Sequence, residues 1–337
     1  MITKRIFRVA TVLAISAVVG SCNSEPTDQV VIYTALDEMY SRPILDDFER
    51  ETGITVDVVY DGESSKTTGL VNRLIAESDR PRADVFWNNE VAQTIVLQER
   101  GVLQPYKSPS REWIPQQFKD KEGYWTGFAA RGRVIIYNTE LVKTPPDSIK
   151  DLCDPKWRGK AAIAKPLFGT TATHAATLFA AWGDDDTRSF FAELKKNEVA
   201  VLPGNATVRD LVARGDYAWG LTDTDDANGA LEDGFPVAWV FPDQGEGQCG
   251  TLILPNTVAL LKGAPNGESG KKLIDYLLSS EVEEKLAASR SKQIPLNTQV
   301  DTTEPNLGGI RVYDVSFNEI ADQLDQSMRF IQEEFLR

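Results

Sequence analysis

Compact apolar runs and amphipathic stretches alternate along this 337-residue chain. Residues 30–35 form a β-rich run, and 40–52 follow with helical spacing at Ile44, Leu45 and Phe48, stopping at Gly53. Residues 54–60 are again β-branched and apolar. Residues 65–78 put Leu70, Leu74 and Ile75 on one helical face, 84–87 are short and apolar, and 91–100 are helical up to Gly101. A strand–helix–strand order of this kind pairs strands in parallel and lays helices over both sheet faces. Right-handed crossovers then give a doubly wound open sheet.

The rest of the chain repeats the habit. Strands are predicted at 134–137, 161–164, 199–202, 218–221 and 238–241, and helices at 171–182, 186–196, 207–214, 226–232, 270–278 and 281–289. The tail, 317–335, has helical spacing at Ile320, Leu324, Met328, Ile331 and Phe335. The fold class is α/β. In open sheets of this class the loops at the carboxyl ends of strands carry ligands.

Four such loops hold unusual polar residues. Asp37 and Glu38 follow the first strand, and Ser64 and Ser65 lie in a Ser/Thr-rich entry to the second helix. Asn89 and Glu90 follow Trp87, and Asp223, Asp225 and Asp226 follow the strand ending at Leu221. Each residue type is an ordinary helix cap, and for any one loop capping is the simpler reading. It strains at the last loop, where one cap does not call for three carboxylates. Crowded acids repel unless a cation or an amine lies among them. A fifth loop opens a long helix with Thr170 and Thr171, and Asn205 starts another after Pro203-Gly204. Helix-start N–H groups with hydroxyls beside them suit a phosphate, phosphonate or carboxylate. His174 falls inside that helix as a packed residue.

Composition removes whole classes. Lys and Arg total 36 against 50 Asp and Glu, a formal charge of −14. That balance disfavours nucleic acid as a partner, since its affinity rests on neutralising phosphates. One His and three Cys leave zinc-finger, haem and cysteine-scaffold readings without ligands.

The first 21 residues read as a secretory leader. Lys4, Arg5 and Arg8 precede an apolar run over 9–19, shorter than the roughly 20 residues a membrane span needs. Val19-Gly20-Ser21-Cys22 resembles a bacterial lipobox, in which the cysteine is diacylated and becomes the first mature residue. Residues 22–29 then form a polar tether, and the body is periplasmic or extracytoplasmic, anchored to a membrane by lipid. In that oxidising space a Cys153–Cys249 disulfide is permitted.

A family resemblance runs through these residues. Val31-Ile32-Tyr33-Thr34-Ala35, Phe48-Glu49-Arg50-Glu51-Thr52-Gly53-Ile54 and Ala83-Asp84-Val85-Phe86-Trp87 resemble the first lobe of bacterial periplasmic solute-binding proteins of the ferric-ion type. Tyr124-Trp125-Thr126-Gly127 through Arg131–Asn138 resembles their crossing into a second lobe, where Trp157-Arg158-Gly159-Lys160 and Pro203-Gly204-Asn205 also match. The resemblance implies two α/β lobes, each an open, mostly parallel sheet, with the ligand in the cleft. Residues 30–130 would build lobe 1, 131–250 lobe 2, and 251–337 the return to lobe 1 with C-terminal helices. It also implies a monomer that captures a small ligand and delivers it to a membrane ABC permease.

The ligand residues only partly carry over. In the ferric-ion type a His and a Glu from the first lobe and two adjacent Tyr from the second hold iron. Asp37 stands at the His position, Asn89 near the Glu with Glu90 beside it, and Asp225 and Asp226 replace the tyrosines. Asp37, Glu90, Asp225 and Asp226 are thus the implied metal set, for a ferric or divalent ion that is cargo rather than cofactor. Thr170, Thr171 and Asn205 lie near the family's anion position. The same pattern fits a zwitterion such as 2-aminoethylphosphonate, the ligand of some relatives. A different class, Asp-dependent phosphatases, shares the Asp223-x-Asp225 spacing. There the motif normally ends the first strand of its domain, with Thr or Val at the place of Ala227, so the chain is read as no enzyme.

Overall fold

The computed structural model describes residues 28–62, 67–301 and 307–337. The leader, the Cys22 lipidation site and most of the tether therefore lie outside the described residues. No helix among those described is long and apolar enough to cross a membrane.

Among the described residues ten strands join in one curled sheet. In chain order they are β1 (Gln29–Thr34), β2 (Thr55–Tyr60), β3 (Val85–Asn88), β4 (Leu103–Gln104), β5 (Thr126–Asn138), β6 (Ala161–Ala164), β7 (Ala200–Leu202), β8 (Trp219–Asp223), β9 (Val237–Val240) and β10 (Ile253–Leu261). The spatial order is β2-β1-β3-β10-β5-β8-β6-β7, with β4 on β10 and β9 on β5. The 13-residue β5 belongs to both lobes. Its first half pairs with β10 and its second half with β8 and β9.

Pairing is parallel at the flanks, β1 with β2 and β3, and β6 with β7 and β8. It is antiparallel along β10 and β5. Each lobe sheet is therefore mixed, and the predicted parallel habit is confined to its outer strands. The reason is connectivity, since β5 and β10 carry the chain from one lobe to the other and back. β10, β4 and the first half of β5 are strands that periodicity did not reveal.

Helices cover both sheet faces. They are α1 (Glu38–Thr52), α2 (Thr68–Ala76), α3 (Ala92–Glu99), α4 (Gly169–Trp182), α5 (Asp184–Lys196), α6 (Asn205–Ala213), α7 (Thr224–Glu232), α8 (Gly267–Leu277), α9 (Ser280–Ala288) and α10 (Phe317–Phe330). Alternate strand residues point to opposite faces, which explains the unbroken apolar runs. Ile32 and Trp87 pack with Leu45, Phe48 and Leu273 on one face of lobe 1, while Tyr33 and Phe86 pack with Leu74 and Ile95 on the other. In lobe 2, Ile135, Ile163 and Leu221 share one core, and Val134, Ile136 and Ala162 another.

Two glycines serve this geometry directly. Gly53 ends α1 in the left-handed region at φ 73°, donating its N–H to the Glu49 carbonyl. Gly132 lies mid-β5 where a Cβ would sit 2.7 Å from the Phe241 ring. The tail spans both lobes. Ile320 and Leu324 of α10 join the lobe 1 core, whereas Phe330, Ile331 and Phe335 join that of lobe 2.

The expected disulfide is absent: Cys153 and Cys249 are free. Each thiol has its own partner, Cys153 Sγ at 3.9 Å from the Phe190 carbonyl and Cys249 Sγ accepting from Trp182 Nε1 at 3.3 Å.

Candidate functional site

A cavity of about 260 Å³ lies between the lobes, at the ends of β1, β3, β6 and β8. Asp37, Tyr40 and Asn89 line it from lobe 1. Lys165, Thr170, Thr171, Asn205, Arg209, Asp223, Asp225 and Asp226 line it from lobe 2, with Arg131 of the crossing strand at its floor. Another hollow, about 690 Å³, lies between 116–121 and 312–318. It is larger, but the strand-end carboxylates and helix starts do not converge on it.

The second lobe's wall is an ion-pair network built around Asp223. Arg133 Nη1 donates to Asp223 Oδ1 at 2.7 Å, to Asn205 Oδ1 at 3.1 Å and to Thr170 Oγ1 at 3.3 Å. Asp223 Oδ2 accepts from Thr170 Oγ1 at 2.7 Å and from Asn205 Nδ2 at 3.0 Å. Arg131 Nη1 lies 3.3 Å from Asp225 and 3.5 Å from Asp223, and its Nη2 donates to the Asn89 carbonyl of lobe 1. Asp226 pairs with Arg209 at 3.4 Å and accepts from Thr222 Oγ1 at 3.1 Å. The cation that crowded acids demand is thus supplied by the chain itself. Burial alone would raise the Asp223 carboxyl, but Arg133 and Arg131 outweigh it and hold it below the usual range. Burial likewise opposes the charge of Arg131, yet Asp225 and Asp223 raise its pKa above the ordinary arginine value.

Local structure places these groups. Asp223 ends β8 at the N-cap position of α7, so Asp225 and Asp226 fall in the first turn of that helix, where its dipole favours negative charge. The first turns of α4 and α6 line the same cavity. Their first-turn N–H groups have no intrahelical acceptor. Tyr40 is pushed up to about 12, first by burial and then by Asp225, Asp226 and Asp37. It stays a phenol at neutral pH.

Most of the expected residues converge here: Asp37, Asn89, Thr170, Thr171, Asn205, Asp223, Asp225 and Asp226 all line the cavity. Glu38 is in the first turn of α1 and exposed to solvent, outside that lining. Ser64 and Ser65 lie outside the described residues.

Glu90 departs from the implied metal set. It is fully buried and caps α3, with Oε2 accepting from Ala92 N at 2.7 Å and Oε1 from Gln93 N at 2.9 Å. Asn88 Nδ2 and Thr173 Oγ1, at 3.1 and 2.8 Å, take up its remaining capacity. A carboxylate so occupied is a structural tie rather than a ligand. His174 is buried and stacks edge-on against Tyr313, as a packed residue should.

The arginines were missed. Their signal was Arg131-Gly132-Arg133, two charges inside the otherwise apolar stretch from Phe128 to Tyr137. Buried arginines need fixed counter-charges, and that pattern pointed to partners elsewhere in the chain.

Comparison with known proteins agrees with this geometry. The profile of the bacterial extracellular solute-binding proteins matches residues 44–306. Iron uptake protein A1 of Synechocystis sp. is 29% identical over 286 residues, covering 80% of this chain and 76% of its own. A putative 2-aminoethylphosphonate-binding periplasmic protein of Salmonella typhimurium is 26% identical over 289 residues, covering 83% of this chain and 82% of its own. Among solved structures, the periplasmic binding protein AfuA of Actinobacillus pleuropneumoniae, with fructose-6-phosphate bound, superposes with a TM-score of 0.80 at 25% identity. That match covers 92% of this chain and 99% of the other. The fold and the relatives are those of solute-binding proteins, not of enzymes. This chain belongs to the bacterial extracellular solute-binding proteins, the ligand-capturing components of ABC importers.

Proposed function

We propose that this chain is a monomeric receptor tethered to the membrane by lipid at Cys22, which captures a small phosphonate or phosphate ester and passes it to its permease. The lobes are taken as 30–130 with 251–337, and 131–250. 2-Aminoethylphosphonate represents the ligand class, its ammonium facing the acidic first turn of α7 and its phosphonate the starts of α4 and α6.

One observation carries this reading. Every carboxylate on the lobe 2 wall already has a guanidinium partner, in Arg131, Arg133 and Arg209. A ferric ion entering there would compete with three fixed cations. A phosphonate meets the starts of α4 and α6 rather than the paired carboxylates, and its ammonium brings one positive charge among those guanidiniums where a ferric ion brings three.

A second reading, iron held together with an anion, is favoured by a separate fact. Carboxylate oxygens of Asp223, Asp225 and Asp226 lie within 4.8 Å of one another, close enough to share a metal ion.

Calorimetry on the purified chain separates the two, using 2-aminoethylphosphonate, inorganic phosphate, and ferric ion with phosphate. The phosphonate should bind one-to-one. The Asp225→Asn/Asp226→Asn double variant should weaken it by about tenfold or more, the loss of one charge-assisted hydrogen bond. Heat from ferric ion alone among the three would replace this reading with the second.

A further inference from the structure

Helix α7 has two ends with different duties. Its first turn carries Asp225 and Asp226 into the cavity, while its last turn lies outside the cavity lining. There it meets a turn of lobe 1. Arg290 Nη2 donates to the Gly229 carbonyl at 3.0 Å and pairs with Asp233, and Lys292 Nζ lies 3.7 Å from Glu232.

Both sides of this contact are firmly held. Ala227 and Ala230 bury the inner face of α7 in the lobe 2 core. On the other side, Leu286 sits in the lobe 1 core, and Ser291 and Gln293 are fully buried. Ile294 exchanges two backbone hydrogen bonds of 2.7 Å with Ala130 of β5. The 289–293 turn therefore presents Arg290 and Lys292 from a rigid base. Cations are favoured at a helix C-terminus, where carbonyls are left without partners. Asp233 and Glu232 add two anions at the same place.

We infer that Arg290 and Lys292 are positioning residues that latch the cleft shut by gripping the C-terminal end of α7. Because α7 is a single nine-residue helix, holding its far end fixes Asp225 and Asp226 against whatever the cavity contains. The inference rests on the reading that the lobes close over a captured solute. These pairs are half-exposed, with side chains 37–45% accessible, so the grip is modest, screened by salt and fit for release.

Two arms test it on the full chain. Small-angle scattering of the ligand-free protein at low and high salt reads closure without any ligand. The wild type should be more compact at low salt than at high salt, while Arg290→Ala should be less compact at low salt and less sensitive to salt. Calorimetry with 2-aminoethylphosphonate should show about threefold to tenfold weaker binding in Arg290→Ala/Lys292→Ala. The charge swap Arg290→Asp/Asp233→Arg should restore both readouts, and melting temperatures should match the wild type, which a merely structural role would not produce. Identical scattering of wild type and Arg290→Ala at both salts, or a swap that rescues nothing, overturns the latch. If the wild type does not bind the phosphonate, the ligand reading falls and the scattering arm alone decides the latch.

Discussion

Glu90 and Asp223 are both buried carboxylates at the carboxyl ends of strands, one on each side of the cleft, and they are stabilised in opposite ways. Asp223 is met by two guanidiniums, a hydroxyl and an amide. Among the described residues Glu90 is met only by neutral donors, two backbone N–H groups, a hydroxyl and an amide. The consequences for charge are opposite too. The arginines overcome burial and lower the Asp223 pKa, whereas burial dominates at Glu90 and raises it. Asp223 therefore contributes stability above the ordinary aspartate value, and that stability is lost as pH falls through its depressed pKa. The contribution of Glu90 is complete below the ordinary glutamate value and is lost as pH rises through its elevated one. One side of the cleft is an ionic framework that stays charged, and the other is a capped helix start that pays for its charge.

The largest effect should come from breaking the ionic side. Asp223→Asn leaves Arg131 and Arg133 buried without their shared counter-ion, and losing one partner of a buried pair costs about 3–5 kcal/mol. Glu90→Gln keeps an acceptor oxygen and removes a charge that burial opposes, so its cost should be nearer 1 kcal/mol. Urea unfolding of both variants at pH 7 reads the difference. Equal losses would mean that the arginines do not distinguish the two sites.

Glu283 extends the neutral-donor case. It is fully buried, accepts from the backbone N–H groups of Leu296 and Asn297, and is pushed up to about 7, chiefly by burial. Its folded pKa lies above its unfolded one, so its contribution is whole below about pH 4.5 and lost as pH climbs through 7. The loss is on the order of 3 kcal/mol. Stability of the wild type measured from pH 4.5 to 8 should carry that decline, and Glu283→Gln should flatten it. A variant that retains the full slope would assign it to other groups.

The contrast also marks what the sequence disclosed. Alternating strands and helices were legible because each is a local pattern, and strand-end loops pointed to Asp37, Thr170, Asn205 and Asp225 before any contact was known. β10 was not legible, because Pro255 and Asn256 interrupt its apolar run and its partners β3 and β5 are distant in the chain. Arg131 and Asp225 meet across 94 residues, and Arg133 and Asp223 across 90. Local spacing holds no record of such pairs. Glu90 failed for another reason: a carboxylate two residues before a helix looks the same whether it caps that helix or faces a ligand.

The smallest effect lies in two threonines that donate to the two carboxylates. Thr170 Oγ1 donates to Asp223 at 2.7 Å, and Thr173 Oγ1 donates to Glu90 at 2.8 Å across the cleft. Valine keeps the shape of threonine and removes the hydroxyl, so each substitution deletes hydrogen bonds without leaving a cavity. A bond to a charged group contributes about 1.5–3 kcal/mol and one to a neutral group about 1 kcal/mol. Asp223 stays ionised through the neutral range, so the cost of Thr170→Val should be the same at pH 5 and pH 8. Burial raises the Glu90 pKa, so Thr173→Val should cost about 1 kcal/mol wherever Glu90 is protonated. That cost should grow as pH rises and the bond comes to end on a carboxylate. Urea midpoints of both variants against wild type at the two pH values test this. A Thr173→Val cost that is independent of pH would show that Glu90 holds one charge state throughout, and the distinction between the two carboxylates would fall with it.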